Sequence, residues 1–312
     1  MNIITITPNP ALDTHLESEN FSRGGYNKAR IIRRDSGGKG INLSRALAAS
    51  SVDNSCFMML GKEGAEGFIL PLYNIGMNIE VIYTEGTVRE NMNIHHGGEE
   101  TVISTNGPAV SAREVAELEE RLMPLVGKDS LVALCGSISE GSDKDAFLSL
   151  LYKLKAKGAR LVIDSKSLTA EEIISLKPYL IKPNESEAEL LTGLRPENLS
   201  DAARIAAALR DMGCECVMLT MGELGAVLAS PSGIFVASSP RVEARSTVGA
   251  GDSSIAGFLA AIARGEDYPK ALARAVAFGA SACMEEGSLP PRPENIAAML
   301  DVITVKSCDI QM

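Results

Sequence analysis

The chain has 312 residues, of which 45% are hydrophobic and 22% charged, so it carries enough apolar surface to form a core. This composition excludes disorder as the main state of the chain. The 30 Lys+Arg and 40 Asp+Glu residues give a formal net charge of -10, which repels nucleic acids and anionic membrane surfaces. We therefore expect no nucleic-acid or membrane partner, and an anionic substrate would need a local basic patch.

The few residues used in redox, metal and histidine chemistry narrow the choice of mechanism. Six scattered cysteines show no paired CxxC spacing, which predicts reduced, packed thiols in a cytoplasmic protein. No apolar run approaches the ~20 residues of a membrane span, and Pro8 interrupts the N-terminal apolar segment before a signal-peptide core could form. With only three histidines and no tryptophan, carboxylate or lysine chemistry is favoured.

Short β-branched runs alternate with segments of helical periodicity, which predicts one α/β domain with a parallel sheet covered by helices. The predicted central strands are Ile3–Thr7, Cys56–Leu60, Leu131–Cys135, Leu161–Asp164, Tyr179–Lys182 and Val217–Thr220. The predicted helices are Ile41–Ala49, Arg113–Leu125, Lys144–Ala156 and Ala202–Met212.

Two stretches break this alternation, Thr14–Arg34 and Val88–Thr105. Their alternating polar and apolar residues and their Gly-Gly pairs predict antiparallel hairpins. The hairpins would form either a small separate sheet, a lid over the carboxyl ends of the parallel strands where ligands bind, or edge strands of the main sheet. His95-His96, just before Gly97-Gly98, indicates a polar hairpin tip rather than a metal site.

The strongest local signal is the segment Ser246–Ser254, with the sequence STVGAGDSS, followed by an apolar helical run. Glycines ahead of a helix let backbone N–H groups converge on an anion such as a phosphate. Asp252 would keep a low pKa without a ligand and could accept a proton from a bound hydroxyl as a phosphoester bond forms. Alternatively, Asp252 or Ser253 is only an N-cap. The spacing matches neither a dinucleotide fingerprint nor a P-loop.

A second glycine cluster, Ser36–Asn42, also precedes a predicted helix and would let the backbone approach a polyhydroxylated ligand. Lys39 would add a cation, and Asn42 would add a donor and an acceptor. Basic residues lie upstream and fit a phosphorylated substrate or, alternatively, a solvated edge strand; they are Lys28, Arg30, Arg33 and Arg34. Lys28 and Arg30 would share a face if this segment is a strand.

Two further motifs follow predicted strands. Asn184 and Glu187 could face a phosphate site and hold hydrated Mg²⁺, but Asn-x-x-Glu is also a good capping box. Asp13, in Asn9–Asp13, could bind two sugar hydroxyls, although Asn-Pro and Asp are also ordinary turn residues.

Taken in order, Asn9–Asp13, Gly37–Asn42, Lys182–Glu187 and Thr247–Asp252 resemble the signature motifs of the ribokinase-like, phosphofructokinase B type carbohydrate kinases. The chain is most similar to the branch that contains 1-phosphofructokinase and tagatose-6-phosphate kinase. The resemblance implies a three-layer α/β sandwich over residues 1–312, with a central, mostly parallel sheet. Lid segments at about 9–35 and 86–107 would be inserted in this domain and would form a small β-sheet.

The resemblance also implies residue roles. Asp252 would be the catalytic base, and Gly249, Ala250 and Gly251 would form the anion hole. Substrate would be bound by Asp13, Lys28, Gly38, Lys39, Asn42, Arg89 and Ser137. Nucleotide would be bound by Lys182, Asn184, Thr220, Gly222 and Gly225. Asn184 and Glu187 would hold Mg²⁺ through water.

The implied activity is an ATP- and Mg²⁺-dependent phosphosugar kinase, with fructose 1-phosphate as first choice and tagatose 6-phosphate or fructose 6-phosphate as rivals. A non-catalytic sensor of sugar phosphates or nucleotides is the alternative of another class. A homodimer through the lid is expected. Two departures from the branch bear on the identity of the sugar: Val88 replaces a threonine, and Ile138–Gly141 replaces Leu-Pro-Pro-Gly.

Overall fold

The computed structural model describes residues 1–309 and contains fourteen strands and ten α-helices in that range. The strands are β1 (Ile3–Thr7), β2 (Ala11–Glu17), β3 (Arg30–Gly37), β4 (Ser55–Glu63), β5 (Ile79–Thr87), β6 (Arg89–His96), β7 (Glu99–Ser104), β8 (Leu131–Cys135), β9 (Arg160–Asp164), β10 (Leu180–Ile181), β11 (Cys216–Thr220), β12 (Ala226–Ser230), β13 (Gly233–Ala237) and β14 (Val305–Ser307). The helices are α1 (Lys39–Ala49), α2 (Ala65–Asn74), α3 (Ala112–Leu122), α4 (Lys144–Ala156), α5 (Ala170–Leu176), α6 (Glu185–Thr192), α7 (Leu199–Asp211), α8 (Ala250–Ala263), α9 (Tyr268–Cys283) and α10 (Pro293–Val302).

Ten of the strands form the main sheet, in the order β14-β13-β12-β11-β10-β9-β8-β1-β4-β5. The strands from β11 to β5 are parallel, and β12, β13 and β14 are added antiparallel at one edge. Every residue of β1 is buried, as expected for a central strand covered on both faces. The fold is therefore α/β with a mostly parallel sheet.

Two apolar cores cover the two faces of this sheet and give three layers. One core contains residues of α3, α4, α5 and α7, and the other contains residues of α1, α8, α9 and α10. Burial of these apolar faces, rather than helix propensity, accounts for most of the stability of such helices. The glycine-rich segments lie at the N-termini of α1 and α8, which pack on the same side of the sheet.

The six predicted central strands are confirmed, with small shifts in their ends. Three predicted helices start or stop elsewhere for local reasons. Helix α3 ends at Leu122, and Pro124 follows in a short 3₁₀ turn, because proline cannot continue the helical hydrogen bonding. Helix α7 begins earlier, at Leu199, because Asn198 caps it by accepting hydrogen bonds from two backbone N–H groups. Helix α1 already begins at Lys39.

The two irregular stretches form a separate four-stranded sheet in the order β3-β2-β6-β7, hereafter the small sheet. Each stretch is an antiparallel pair, and β2 and β6 join the pairs in parallel. The alternative that they extend the main sheet is therefore wrong. Gly97 and Gly98, both at positive φ, form the tight turn between β6 and β7. Strand β3 begins only at Arg30, so Lys28 precedes it and the shared strand face expected for these two residues is not formed.

Four of the six cysteines are packed in the interior, as expected from the sequence. All six cysteines are free, and Cys56, Cys135, Cys214 and Cys216 are buried. Burial raises the pKa of the thiols of these four residues, as expected for packed thiols rather than reactive ones. Within residues 1–309, no helix is long and apolar enough to cross a bilayer.

Candidate active site

The glycine turn before α8 leaves backbone donors without side-chain caps. Gly249 is the N-cap of α8 at φ 77°, a left-handed conformation that glycine adopts without strain, and no side chain caps this helix end. Asp252 lies three residues further on, in the first turn, so the reading of Asp252 or Ser253 as a simple N-cap is wrong. The N–H groups of this first turn and the helix dipole are the features that can bind an anion.

Asp252 is buried at this turn, with 6% of its surface exposed. Burial, reinforced by the nearby carboxylate of Asp164, raises its pKa to about 6. The expected low pKa is therefore wrong, because desolvation outweighs the favourable hydrogen bond from Asn42 and the charges of Lys39 and Lys182. A carboxylate with a pKa near 6 is well matched to accept a proton near neutral pH.

Asn42 and Lys182 contact this turn from two different elements. Asn42, on α1, donates a hydrogen bond from Nδ2 to Oδ2 of Asp252 over 2.9 Å. Lys182, the buried residue after β10, has its Nζ 3.0 Å from the position that a Cβ would take at Gly251. Glycine at 251 therefore lets the ammonium group of Lys182 lie against the backbone of this turn. The ammonium group and the N-terminus of α8 would both attract the same anion.

A cluster of charges lies next to Asp252 and joins three elements. Lys39 Nζ, at the start of α1, lies 3.0 Å from Oδ1 of Asp164 and 3.7 Å from Oε1 of Glu187. These carboxylates and Asp252 raise the pKa of Lys39, against the effect of its own burial. In this structure the ammonium group of Lys39 therefore neutralises acidic groups of the site.

Asp164 was not among the predicted site residues, although it ends the predicted strand Leu161–Asp164. It is buried, and its Oδ2 has no hydrogen-bond partner among the described residues. A carboxylate at the carboxyl end of a buried parallel strand is the signal that could have identified it, because ligands of such sheets bind at that edge.

Asn184 and Glu187 form a capping box at the start of α6, the alternative that the sequence left open. Asn184 Oδ1 accepts a hydrogen bond from the Glu187 N–H over 2.9 Å, and Glu187 Oε2 accepts one from the Asn184 N–H over 3.2 Å. The oxygen of Asn184 is thus engaged, whereas Glu187 Oε1 faces Lys39 and Lys166, each 3.7 Å away.

Asn184 Oδ1 keeps a second lone pair for a water molecule, and two carboxylate oxygens also suit a hydrated Mg²⁺. Those oxygens are the partnerless Oδ2 of Asp164 and Oε1 of Glu187, and Mg²⁺ prefers one or two carboxylates together with water and phosphate oxygens.

Asp13 lies on β2 of the small sheet, against the backbone of β3. Its Oδ2 would be 2.3 Å from a Cβ at Gly37, so glycine at 37 makes room for the carboxylate. Asn91 of β6 donates a hydrogen bond to its Oδ1 over 2.7 Å. Burial, with a smaller effect of Asp35, raises the pKa of Asp13 despite this hydrogen bond. Asn91 is 78 residues from Asp13 in the chain, so no local pattern marks it as a partner of this carboxylate.

The basic residues of the small sheet do not form one continuous patch. Arg89 donates to Ser104 Oγ over 2.9 Å, and its buried Nε has no partner among the described residues. Arg33 pairs with Asp35 at 2.6 Å, and Arg34 is exposed. Lys28 is exposed before β3. Arg89 therefore offers a buried, unpaired donor to an anion.

The turn after β11 lies beside Asn184. Thr220 forms a bridge with Asn184, and its N–H donates to the Pro183 carbonyl over 3.0 Å. Gly222 begins a 3₁₀ turn. Gly225 has φ 116°, and a Cβ there would lie 2.0 Å from the Ala237 carbonyl oxygen, so this glycine is required by the fold. The turn and the start of α6 thus border the same edge of the sheet.

A comparison with known families identifies the chain. Residues 11–295 match the model of the pfkB family carbohydrate kinases. The chain belongs to this family.

Relatives and solved structures agree with this assignment. A 1-phosphofructokinase of Bacillus subtilis is 30% identical over 91% of this chain and 93% of its own length. A 1-phosphofructokinase of Rhodobacter capsulatus is 30% identical over 98% of both chains. The crystal structure of phosphofructokinase-2 from Escherichia coli in complex with substrates and products has a TM-score of 0.89 at 22% identity, covering 96% of this chain and 99% of that one. This pfkB family carbohydrate kinase is therefore an enzyme of the phosphofructokinase type, with the ribokinase-like fold.

In this pfkB kinase, the loop that departs from the family pattern, Ile138–Gly141, is held by hydrogen bonds to neighbouring segments. Ser137 is half-buried after β8, and Ser139 donates to the Pro108 carbonyl over 2.5 Å and contacts Ser142 Oγ at 2.8 Å. Glu140 accepts a hydrogen bond from Asn106 over 3.4 Å. The loop is thereby tied to the segment that follows β7 of the small sheet.

Gly38 and Arg45 hold the second glycine cluster in place. A Cβ at Gly38, which has φ 130°, would lie 2.9 Å from Thr7 Cγ2, so only glycine fits there without strain. Arg45, which the sequence analysis did not single out, is buried on α1 and donates to the backbone carbonyls of Ser36 and Ser288. Its guanidinium group thus connects the small sheet to the segment before α10.

Proposed function

We propose that this kinase transfers a phosphoryl group from ATP to a hydroxyl of a phosphorylated ketohexose, with fructose 1-phosphate as the first-choice substrate. The observation that carries the proposal is the buried Asp252 at an uncapped, glycine-lined helix N-terminus. The names of the curated relatives support fructose 1-phosphate, whose 6-hydroxyl would be phosphorylated to give fructose 1,6-bisphosphate and ADP.

Asp252 would act as the general base. Its carboxylate takes the proton of the attacking hydroxyl as the new bond from oxygen to the γ-phosphorus forms and the bond to the β-phosphate oxygen breaks. Asn42, which donates to Oδ2, keeps one carboxylate oxygen oriented and leaves the other for the hydroxyl. The pKa of about 6 leaves most Asp252 side chains ionised at neutral pH and therefore competent to accept a proton.

The N–H groups at Gly249, Ala250 and Gly251 would stabilise charge on the migrating phosphoryl group. They belong to a fixed helix end, and the Ala250 N–H, which donates to the Thr247 carbonyl over 3.3 Å, would exchange this hydrogen bond for one to the phosphoryl group. Lys182 adds an ammonium group beside Gly251. Thr220, Gly222 and Gly225, with Asn184, would border the nucleotide, and Gly225 would act chiefly by fixing the turn.

Mg²⁺ would be held, through water, by Asn184 and Glu187, and the partnerless Oδ2 of Asp164 would offer a further oxygen. When bound, it would neutralise phosphate charge on ATP. Lys39 contacts both carboxylates in this structure. Because Mg²⁺ would compete for these carboxylates, the ammonium group of Lys39 would become available to phosphate oxygens. This keeps Lys39 in the substrate site, as the family resemblance implies.

The sugar phosphate would bind between the small sheet and the N-terminus of α1. Asp13, Asn42 and the backbone at Gly38 would hold hydroxyl groups, and Ser137 would line the loop after β8. Arg89, with its partnerless Nε, would bind the phosphate already present, and Lys28 would close on it. The chain would form one domain, and the small sheet, from segments of about 9–35 and 86–107, would act as its lid.

A panel of purified sugars tests this assignment. ADP release is measured with ATP and Mg²⁺ and with fructose 1-phosphate, tagatose 6-phosphate, fructose 6-phosphate or unphosphorylated fructose. We expect the largest kcat/KM with fructose 1-phosphate and the smallest with fructose. A preference for either 6-phosphate would contradict the assigned sugar, and sugar binding without ADP release from any member would favour a sensor instead.

A further inference from the structure

One cluster of metal-ligating side chains lies on the small sheet and has no part in the proposed reaction. Its members come from three strands: His15 from β2, His95 from β6 and Glu100 from β7. In the parallel pair, His15 lies opposite Asn93, and His95 lies two residues further along β6 and therefore on the same face. In the antiparallel pair, Glu100 lies opposite His95, so the three side chains are neighbours on one face. The sequence alone indicated a polar hairpin tip at His95, but the structure adds His15 and Glu100 to it, and we propose that these residues form a binding site for a divalent transition-metal ion of the zinc class.

The distances within the cluster suit such an ion. Nδ1 of His15 and Nε2 of His95 lie 3.2 Å apart, and Nε2 of His95 lies 3.8 Å from Oε1 of Glu100. Two ligands in a tetrahedral zinc site, each at about 2.0–2.1 Å from the metal, are about 3.3–3.4 Å apart. A single ion can therefore contact both imidazoles with little movement, and the exposed Glu100 carboxylate needs only a small rotation.

Asp35 supplies the outer partner that orients a metal-binding histidine. The Nε2 of His15, on the ring edge away from the cluster, lies 3.5 Å from Oδ2 of Asp35. A proton held at Nε2 by this carboxylate leaves Nδ1 with its lone pair towards the ion. Arg33 Nε donates to Oδ2 of Asp35 over 2.6 Å and balances its charge, whereas Arg33 Nη2, 3.4 Å from His15 Nε2, is a second donor at this edge that turns away when Nε2 carries the proton.

The donor set selects the class of ion. Two imidazoles and one carboxylate match zinc and neighbouring transition metals, whereas Mg²⁺ prefers an all-oxygen shell. The fourth tetrahedral position would hold water, which reaches the site because the side chains of His95 and Glu100 are 41% and 46% exposed. This site is distinct from the oxygen donors of Asp164 and Glu187.

Metal binding by the full chain tests the proposal directly. Chelator-treated protein is titrated with Zn²⁺ in excess Mg²⁺, using a chromophoric competitor, and with Co²⁺, using its visible absorption as a second readout. We expect one Zn²⁺ per chain and an intense, tetrahedral-type Co²⁺ spectrum. Absence of saturable binding at this stoichiometry, or a Co²⁺ spectrum of octahedral type, would overturn the proposal.

Matched variants identify the ligands. His95→Gln and Glu100→Gln should each weaken Zn²⁺ binding at least tenfold, and the exposure of Glu100 makes its variant safe for folding. His96→Gln is the control, because His96 lies on the opposite face of β6, contacts Thr101 and stacks on Phe21. Its affinity should equal that of the unmodified protein. Equal losses in all three variants, or no loss in His95→Gln and Glu100→Gln, would contradict the assignment.

Discussion

At the residue scale, the burial of Asp252 couples stability to pH. Its pKa rises from an ordinary value of 3.8 to about 6 in the native state, chiefly by desolvation. The native state therefore binds more protons than the unfolded state between these values, and stability falls as pH rises through this window. The cost is absent below pH 3.8 and fully present above about 6.

Asp252→Asn should remove this cost, because the amide carries no charge at any pH. A difference of about two between the native and unfolded pKa corresponds to about 3 kcal/mol, as an upper value. At pH 4 the free energy of unfolding of the variant should therefore exceed that of the unmodified protein only slightly. This gain should grow by up to about 3 kcal/mol when the pH is raised to 7. Urea unfolding at both pH values measures it, and an identical difference at the two would contradict the burial effect.

Lys39 tunes the same carboxyl group. Its charge lowers the pKa of Asp252, so Lys39→Met should move the acid limb of the kcat/KM profile to higher pH. Lys166→Met is the control, because Lys166 contacts Glu187 at 3.7 Å but is more exposed than Lys39. The pH dependence of ADP release measures both variants. If the acid limb stays in place in Lys39→Met, the charge of Lys39 does not set the pKa of Asp252, and the prediction is wrong.

At the element scale, the position of the glycine turn depends on how closely α8 and α9 pack. Gly257, in the middle of α8, allows this contact: a Cβ there would lie 2.5 Å from the Arg274 carbonyl oxygen and 2.9 Å from Phe278 Cγ. Gly257→Ala should therefore destabilise the protein by about 1–3 kcal/mol, the usual cost of overpacking.

The matched control is Gly67→Ala in α2, where a Cβ meets nothing within 4 Å. It should be neutral or should stabilise the protein by up to about 1 kcal/mol, since alanine is the better helix former. Denaturant midpoints of the two variants provide the comparison. Equal effects would show that helix propensity, rather than packing of α8 on α9, governs both positions.

Some strands and helices can be predicted from the sequence alone, and others cannot. Fully buried parallel strands such as β1 are continuous apolar runs and are readily predicted, as are helices with periodic apolar faces. Strand β12 was not among the predicted strands, because its short apolar run, Ala226–Ala229, does not distinguish a strand from a buried helix.

The site was predictable only in part, for a different reason. Glycines and carboxylates that follow strands mark Asp13 and Asp252 as candidates. However, the contacts among Lys39, Asp164 and Glu187 join three distant elements, so local patterns carry no information on them. The raised pKa of Asp252 was missed likewise, since desolvation depends on packing around the finished turn.

At the scale of the whole molecule, the small sheet is the candidate surface for self-association. Ile31 and Ile103 are apolar residues of this sheet that are exposed in the single chain, and the strand register places them on the same face. Two copies could bury this face against each other across a two-fold axis. We therefore expect light scattering to give twice the 33.0 kDa chain mass. A mass near that of one chain at working concentration would contradict the proposed dimer.

The most direct test of the central claim is the turnover of Asp252→Asn. ADP release is measured with fructose 1-phosphate, ATP and Mg²⁺, alongside ATP binding by calorimetry. If Asp252 is the base at the phosphoryl-binding turn, kcat should fall by about 10²–10⁴ while ATP affinity stays nearly unchanged. An asparagine variant that turns over at the rate of the unmodified enzyme would contradict it.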